Sequence, residues 1–92
     1  MSRARAHVYV YGTVQGVFFR ASTRDRARSY GVKGWVKNCE DGGVEAIFEG
    51  EKDTVDKIVS WCRKGPDGAF VRRMDVLWEK YSNEFSEFSI VY

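Results

Sequence analysis

The sequence predicts an α+β fold of the ferredoxin-like, split βαβ type. The order is β-α-β-β-α-β with a short additional C-terminal strand, giving an antiparallel sheet with two helices on one face. Three observations carry this. Apolar residues alternate over residues 7–14, 32–39, 44–49, 70–81 and 88–92, the period of a strand. Between these runs, two stretches repeat apolar residues at helical spacing. The turn dipeptide Asp41-Gly42, set between the second and third runs, makes those two strands antiparallel neighbours.

The first strand places Val8, Val10 and Val14 toward a core, with Tyr9, Tyr11 and Thr13 on the other face. Residues 21–30 form the first helix, with Thr23, Ala27 and Tyr30 on its narrow apolar stripe, Arg24, Arg26 and Arg28 on its solvated face, and Gly31 as its stop. The second strand ends at the polar turn Glu40-Asp41-Gly42-Gly43, and Gly50 reads as the turn that ends the third. Val55, Ile58, Val59 and Cys62 fall at i, i+3, i+4 and i+7, which predicts an amphipathic helix halted before Gly65-Pro66. The fourth strand carries Met74, Val76 and Trp78 on one face, and the last alternates Phe88, Ile90 and Tyr92.

Ninety-two residues allow one domain with one core, here residues 1–92. An apolar content of 43% and an aromatic content of 15% exclude disorder. No apolar run is long enough for a membrane span and residues 1–6 lack a signal-peptide core, so the expectation is a cytoplasmic monomer without a membrane partner. Cys39 and Cys62 are too few for a disulfide scaffold and lack zinc-site spacing. His7 is the sole histidine, which argues against a histidine triad or metal centre. The net charge of +2 is unevenly spread. Residues 1–38 hold eight Lys or Arg against Asp25, or +7, and the remainder holds seven against twelve acids, or −5. A basic N-terminal half suits a small anionic substrate, and equally nucleic acid.

The loop Gly12-Thr13-Val14-Gln15-Gly16-Val17-Phe18-Phe19-Arg20 lies where the first strand hands over to the first helix. Amides at a helix start have no intrahelical partners and sit at the positive end of its dipole, so this loop is suited to an anion. Gly16 lets the backbone approach a ligand closely, and Arg20 offers a guanidinium fork for phosphate or carboxylate oxygens. The spacing matches neither the dinucleotide fingerprint nor the nucleotide-triphosphate loop.

Gly12-x-Val14-Gln15-Gly16-Val17-x-Phe19-Arg20, followed by Gly34-Trp35-Val36-Lys37-Asn38 and by Asp41-Gly42-Gly43-Val44-Glu45 and Gly50, closely resembles the acylphosphatase family from about His7 to the C-terminus. That resemblance implies the same fold and hydrolysis of acyl phosphates to a carboxylate and inorganic phosphate, which is product and inhibitor. It assigns phosphate binding to Arg20 and to the backbone amides of Gln15, Gly16, Val17, Phe18 and Phe19, and orientation of the attacking water to Asn38. It calls for no cofactor and no metal, because the carboxylate leaving group is already weakly basic. Trp35 reads as packing support for the second strand.

Two readings compete. An RNA-recognition module shares the element order and stacks bases on sheet aromatics, for which Tyr9 and Tyr11 are candidates. The third strand opposes it, since Glu45, Ile47 and Glu49 would occupy its outer face where a basic-aromatic motif is required, and no nucleic-acid partner is expected. A non-catalytic acyl-phosphate sensor is the other, and the presence of both Arg20 and Asn38 favours an enzyme.

Overall fold

The computed structural model describes residues 2–92. Strand β1 (Arg3–Thr13) alternates buried Ala4, Ala6, Val8 and Val10 with half-buried Arg5, His7, Tyr9 and Tyr11. It begins before His7 because Arg3, Ala4 and Arg5 pair with Glu51, Gly50 and Glu49. Helix α1 (Phe19–Ser29) buries Phe19, Thr23 and Ala27. Strands β2 (Lys33–Asn38) and β3 (Val44–Glu51) form the expected hairpin. Helix α2 (Lys52–Lys64) buries the predicted Val55, Ile58, Val59 and Cys62. Strands β4 (Phe70–Glu79) and β5 (Phe88–Ile90) complete the order.

The sheet runs β4-β1-β3-β2-β5. All contacts among the first four strands are antiparallel, as the sequence predicts, and β5 adds a parallel pairing to β2 that makes the far edge mixed. Val8, Val10, Val36 and Phe48 from the sheet meet Ala27, Val55, Ile58 and Cys62 from the helices in one core. Phe48 and Phe88 stack within it, centroids 5.5 Å apart.

Gly50 does not end β3. It lies within the strand opposite Ala4 and close to Val32, and the turn into α2 falls after Glu51. At Gly12 the register of β1 on β4 shifts, leaving Arg72 unpaired as a bulge. A Cβ at Gly12 would lie 2.1 Å from the Phe70 carbonyl oxygen, so glycine is what admits the bulge. Gly34 is tighter still, with φ at +138° and a virtual Cβ only 1.9 Å from the Ile47 carbonyl oxygen. Gly34→Ala is expected to lower unfolding free energy by about 3 kcal/mol or more, since it adds backbone strain to a clash no side chain can relieve. A chemical denaturation midpoint measures it.

The outer face of the sheet is not open. Residues between β4 and β5 cross it, and Ser82 donates to Glu49 Oε2 through its backbone N–H (2.7 Å) and its hydroxyl (2.8 Å). Arg5 reaches Glu49 (3.3 Å), Glu79 (2.9 Å) and Glu84. Ile47 and Glu49 are therefore each only 2% exposed, where an open face would have left them in solvent. His7 sits between Glu45 (2.6 Å) and Glu79 (3.2 Å) with Tyr9 stacked on it. The face that a base-stacking platform needs is thus occupied by an ion network and a crossing segment.

Burial pushes the Glu49 carboxyl up, but hydrogen bonds from Ser82 and Arg5 outweigh this and hold it below its ordinary 4.5. Its contribution to stability is therefore complete above that value and is lost as pH falls through the lower, folded-state value. Arg5→Met is expected to cost about 3 kcal/mol at pH 7, because it strands a buried carboxylate. The same variant should lose less stability than the parent between pH 5 and 3, which urea titrations across that range would show.

Candidate active site

Val44 pairs with Val10 on one side and with Asn38 on the other, so the C-terminal ends of β1 and β2 lie at the same end of the sheet, flanking the start of β3. The loop that leaves β1 rises there and turns into α1, with Gly16 at φ +77° and Phe18 left-handed at φ 62°, ψ 25°. Phe18 occupies the N-cap position and contributes no side-chain cap. The first helical hydrogen bond runs from Ser22 N–H to the Phe18 carbonyl (3.0 Å), which leaves the Phe19, Arg20 and Ala21 amides ahead of it without helical partners. Among the described residues, the N–H groups of Gln15 through Phe19 donate to no backbone carbonyl. No acidic residue stands in the first turn of α1 to neutralise its dipole.

Arg20 belongs to that first turn, because the helix starts earlier than the predicted Ala21. Its guanidinium lies over the Tyr92 ring, 5.4 Å from the centroid, and among the described residues no carboxylate pairs with it. Asn38 ends β2, and its Oδ1 is buried without a hydrogen-bond partner among the described residues. A buried carboxamide oxygen in that state is costly unless a ligand or water satisfies it. Both side chains line one pocket of about 250 Å³, together with Gly16, Phe18, Ile90 and Tyr92.

Of the five residues predicted to cradle an anion, Gly16, Phe18 and Phe19 line this pocket, whereas Gln15 and Val17 do not. Val17 packs against the core. The Gln15 side chain turns away to the β2–β3 hairpin, where Nε2 donates to the carbonyl oxygens of Cys39 (2.8 Å) and Gly43 (2.9 Å). Sequence reasoning missed Ile90 and Tyr92 as pocket residues. Parallel pairing of Val36 with Ile90 carries the chain past β5 alongside Asn38, and alternation in a lone strand does not reveal its partner.

Neither cysteine lines this pocket. Burial, reinforced by the Glu45 and Asp41 carboxylates, pushes the half-buried Cys39 thiol up, and burial alone takes Cys62 to about 12. A larger open groove of about 510 Å³ lies between α1 and the end of α2. It sets Arg26 and Lys64 against Asp25 and Asp67 and contains none of the free helix-start amides, so it lacks the electrostatic bias of the smaller pocket.

What this pocket can do follows from its parts: unpaired amides and a guanidinium hold an anion's oxygens, and a carboxamide beside them can accept a hydrogen bond from a nucleophile. The whole chain is also similar to known proteins. The family model "Acylphosphatase" matches residues 6–90. An acylphosphatase of Roseiflexus sp. (strain RS-1) is 58% identical over 92 residues, covering 100% of this chain and 99% of that protein. An acylphosphatase of Pelotomaculum thermopropionicum is 53% identical over the full length of both. The crystal structure of acylphosphatase from Bacillus subtilis superposes with a TM-score of 0.92 at 32% identity, covering 97% of this chain and 99% of that one. Among the described residues no helix is long and apolar enough to cross a membrane. This chain belongs to the acylphosphatase family.

Proposed function

We propose that the 250 Å³ pocket hydrolyses the carboxyl-phosphate bond of acyl phosphates, with Arg20 and Asn38 as its catalytic residues. The phosphoryl oxygens are held by Arg20 and by the loop amides from Gln15 to Phe19, of which Gly16, Phe18 and Phe19 line the pocket. Asn38 Oδ1 accepts a hydrogen bond from a water molecule, while its Nδ2 donates to the substrate, fixing that water for in-line attack on phosphorus. The carboxylate departs without protonation, so the site needs no strong general acid. Inorganic phosphate, the product, occupies the same cradle and competes with substrate. Phe18, Ile90 and Tyr92 form the apolar rim on which the acyl portion rests. One core serves the whole domain, which acts as a monomer in the cytoplasm on a small-molecule substrate.

The observation that carries this reading is the buried, unpartnered Asn38 Oδ1 in the same pocket as Arg20. Its test is steady-state hydrolysis of benzoyl phosphate in the presence of a chelator, with p-nitrophenyl phosphate as the control substrate. Turnover of the acyl phosphate alone is expected. Loss of turnover on adding chelator, or equal turnover of the monoester, would overturn it.

A further inference from the structure

We infer that the Gln15 carboxamide is a positioning residue, a brace that sets the distance between the phosphate cradle and Asn38. The inference rests on the hydrolytic reading above and adds a side chain that touches no substrate. Gln15 is placed at the start of the cradle, yet its side chain leaves the pocket and spends both Nε2 protons on the neck of the β2–β3 hairpin. Cys39, which receives the first of them, directly follows Asn38 in the chain.

The two acceptors are already joined across the hairpin. Cys39 N–H donates to the Gly43 carbonyl (2.8 Å), and Gly42 N–H donates to the Cys39 carbonyl (3.1 Å). The Asp41 carboxylate accepts from Gly43 N–H (3.0 Å) and tightens the same turn. Gln15 thus clamps a hairpin neck that is rigid by itself onto a loop that is not part of any helix or strand. Without the clamp, the cradle and the residue that orients water belong to separate elements, joined below this level by the Val10–Val44–Asn38 pairing. Misplacement by about 1 Å of a group that positions a reactant costs on the order of 100-fold in rate, so a two-bond brace at this junction has leverage far above its own strength.

Only a group with two donors fits. A carboxylate there would face two carbonyl oxygens with no proton to offer, and a protonated carboxyl could satisfy one of them. The decisive variants are Gln15→Met, which keeps length and removes both donors, and Gln15→Glu, which keeps shape and makes the donor depend on pH. Each is measured for kcat and KM with benzoyl phosphate, for inhibition by inorganic phosphate, and for folding by near-ultraviolet circular dichroism.

Gln15→Met is expected to lower kcat by roughly 10-fold or more while phosphate inhibition shifts by less than about 3-fold. In an Asn38→Ala background the same change should cost less than about 3-fold, because the brace acts through Asn38. Gln15→Glu should regain activity relative to the parent as pH falls below about 6, since an ordinary glutamate titrates near 4.3 and opposing carbonyl oxygens raise that value. Gln15→Met should show no such recovery. Equal losses from Gln15→Met with and without Asn38, or a pH-independent Gln15→Glu deficit, would reduce the bond pair to ordinary loop stabilisation and overturn the inference. An inactive but folded parent would instead remove the hydrolytic reading itself.

Discussion

Asn38→Ala is expected to lower kcat for acyl phosphate hydrolysis by about 100-fold or more and to leave inhibition by inorganic phosphate within a few-fold of the parent. The split follows from what the side chain touches. Asn38 Oδ1 is buried and unpartnered among the described residues, so its bonding capacity is reserved for something that enters the pocket. An interaction with attacking water is worth most in the transition state, when that water is fixed in line with the breaking bond. In the proposed mechanism phosphate binding draws instead on the helix-start amides and Arg20, which the substitution leaves untouched. Parallel measurement of kcat and the phosphate inhibition constant decides the point, and near-normal turnover would remove Asn38 from its role.

Arg20→Lys is expected to lower kcat/KM by about 100-fold or more and to weaken phosphate inhibition at least about 10-fold, although formal charge is conserved. Arg20 is held in the first turn of α1 with its guanidinium against the Tyr92 ring. A planar fork in that position can donate two parallel hydrogen bonds to phosphoryl oxygens, and the ring limits the directions it can take. Lysine presents one compact, strongly hydrated ammonium on a flexible stem, so it supplies attraction without geometry. Raising ionic strength should also weaken phosphate binding more in the lysine variant, because what remains is less directional and more easily screened.

Much of this arrangement is legible in the residues themselves. The spacing of Val55, Ile58, Val59 and Cys62 fixes the buried face of α2 because a helix has a single period, and all four are buried. Asp41-Gly42 announces its hairpin for a similarly local reason. What escapes is long-range. The Gly12 bulge breaks alternation in β4 at Arg72, which no pattern within that strand explains, because the cause lies in β1. Residues 80 and 81 read as the end of the fourth strand and residues after them as a plain break, yet β4 stops at Glu79 and the segment that follows buries Glu49 and crosses the outer face, since β4 and β5 lie at opposite edges of the sheet.

The candidate site divides along the same line. Loop, arginine and asparagine are named in the sequence chiefly through the family resemblance, and the fold brings Gly16, Phe18, Phe19, Arg20 and Asn38 to one pocket. The side-chain role of Gln15 and the approach of Tyr92 cannot be named that way, since both depend on which strand ends become neighbours. Phe18 falls between these cases. The sequence places its amide in the cradle, but its left-handed backbone and its 81% exposed ring at the pocket mouth emerge only with the fold.

In the proposed mechanism water held by Asn38 attacks phosphorus, and the position of an isotope in the products reveals whether it does. Benzoyl phosphate is hydrolysed by the enzyme in ¹⁸O-labelled water, with the spontaneous background subtracted, and both products are analysed by mass spectrometry. One labelled oxygen in inorganic phosphate and none in benzoate is the expected result. Label in benzoate would mean that water attacks the carbonyl carbon, and would contradict the roles assigned to Asn38, Arg20 and the loop amides together.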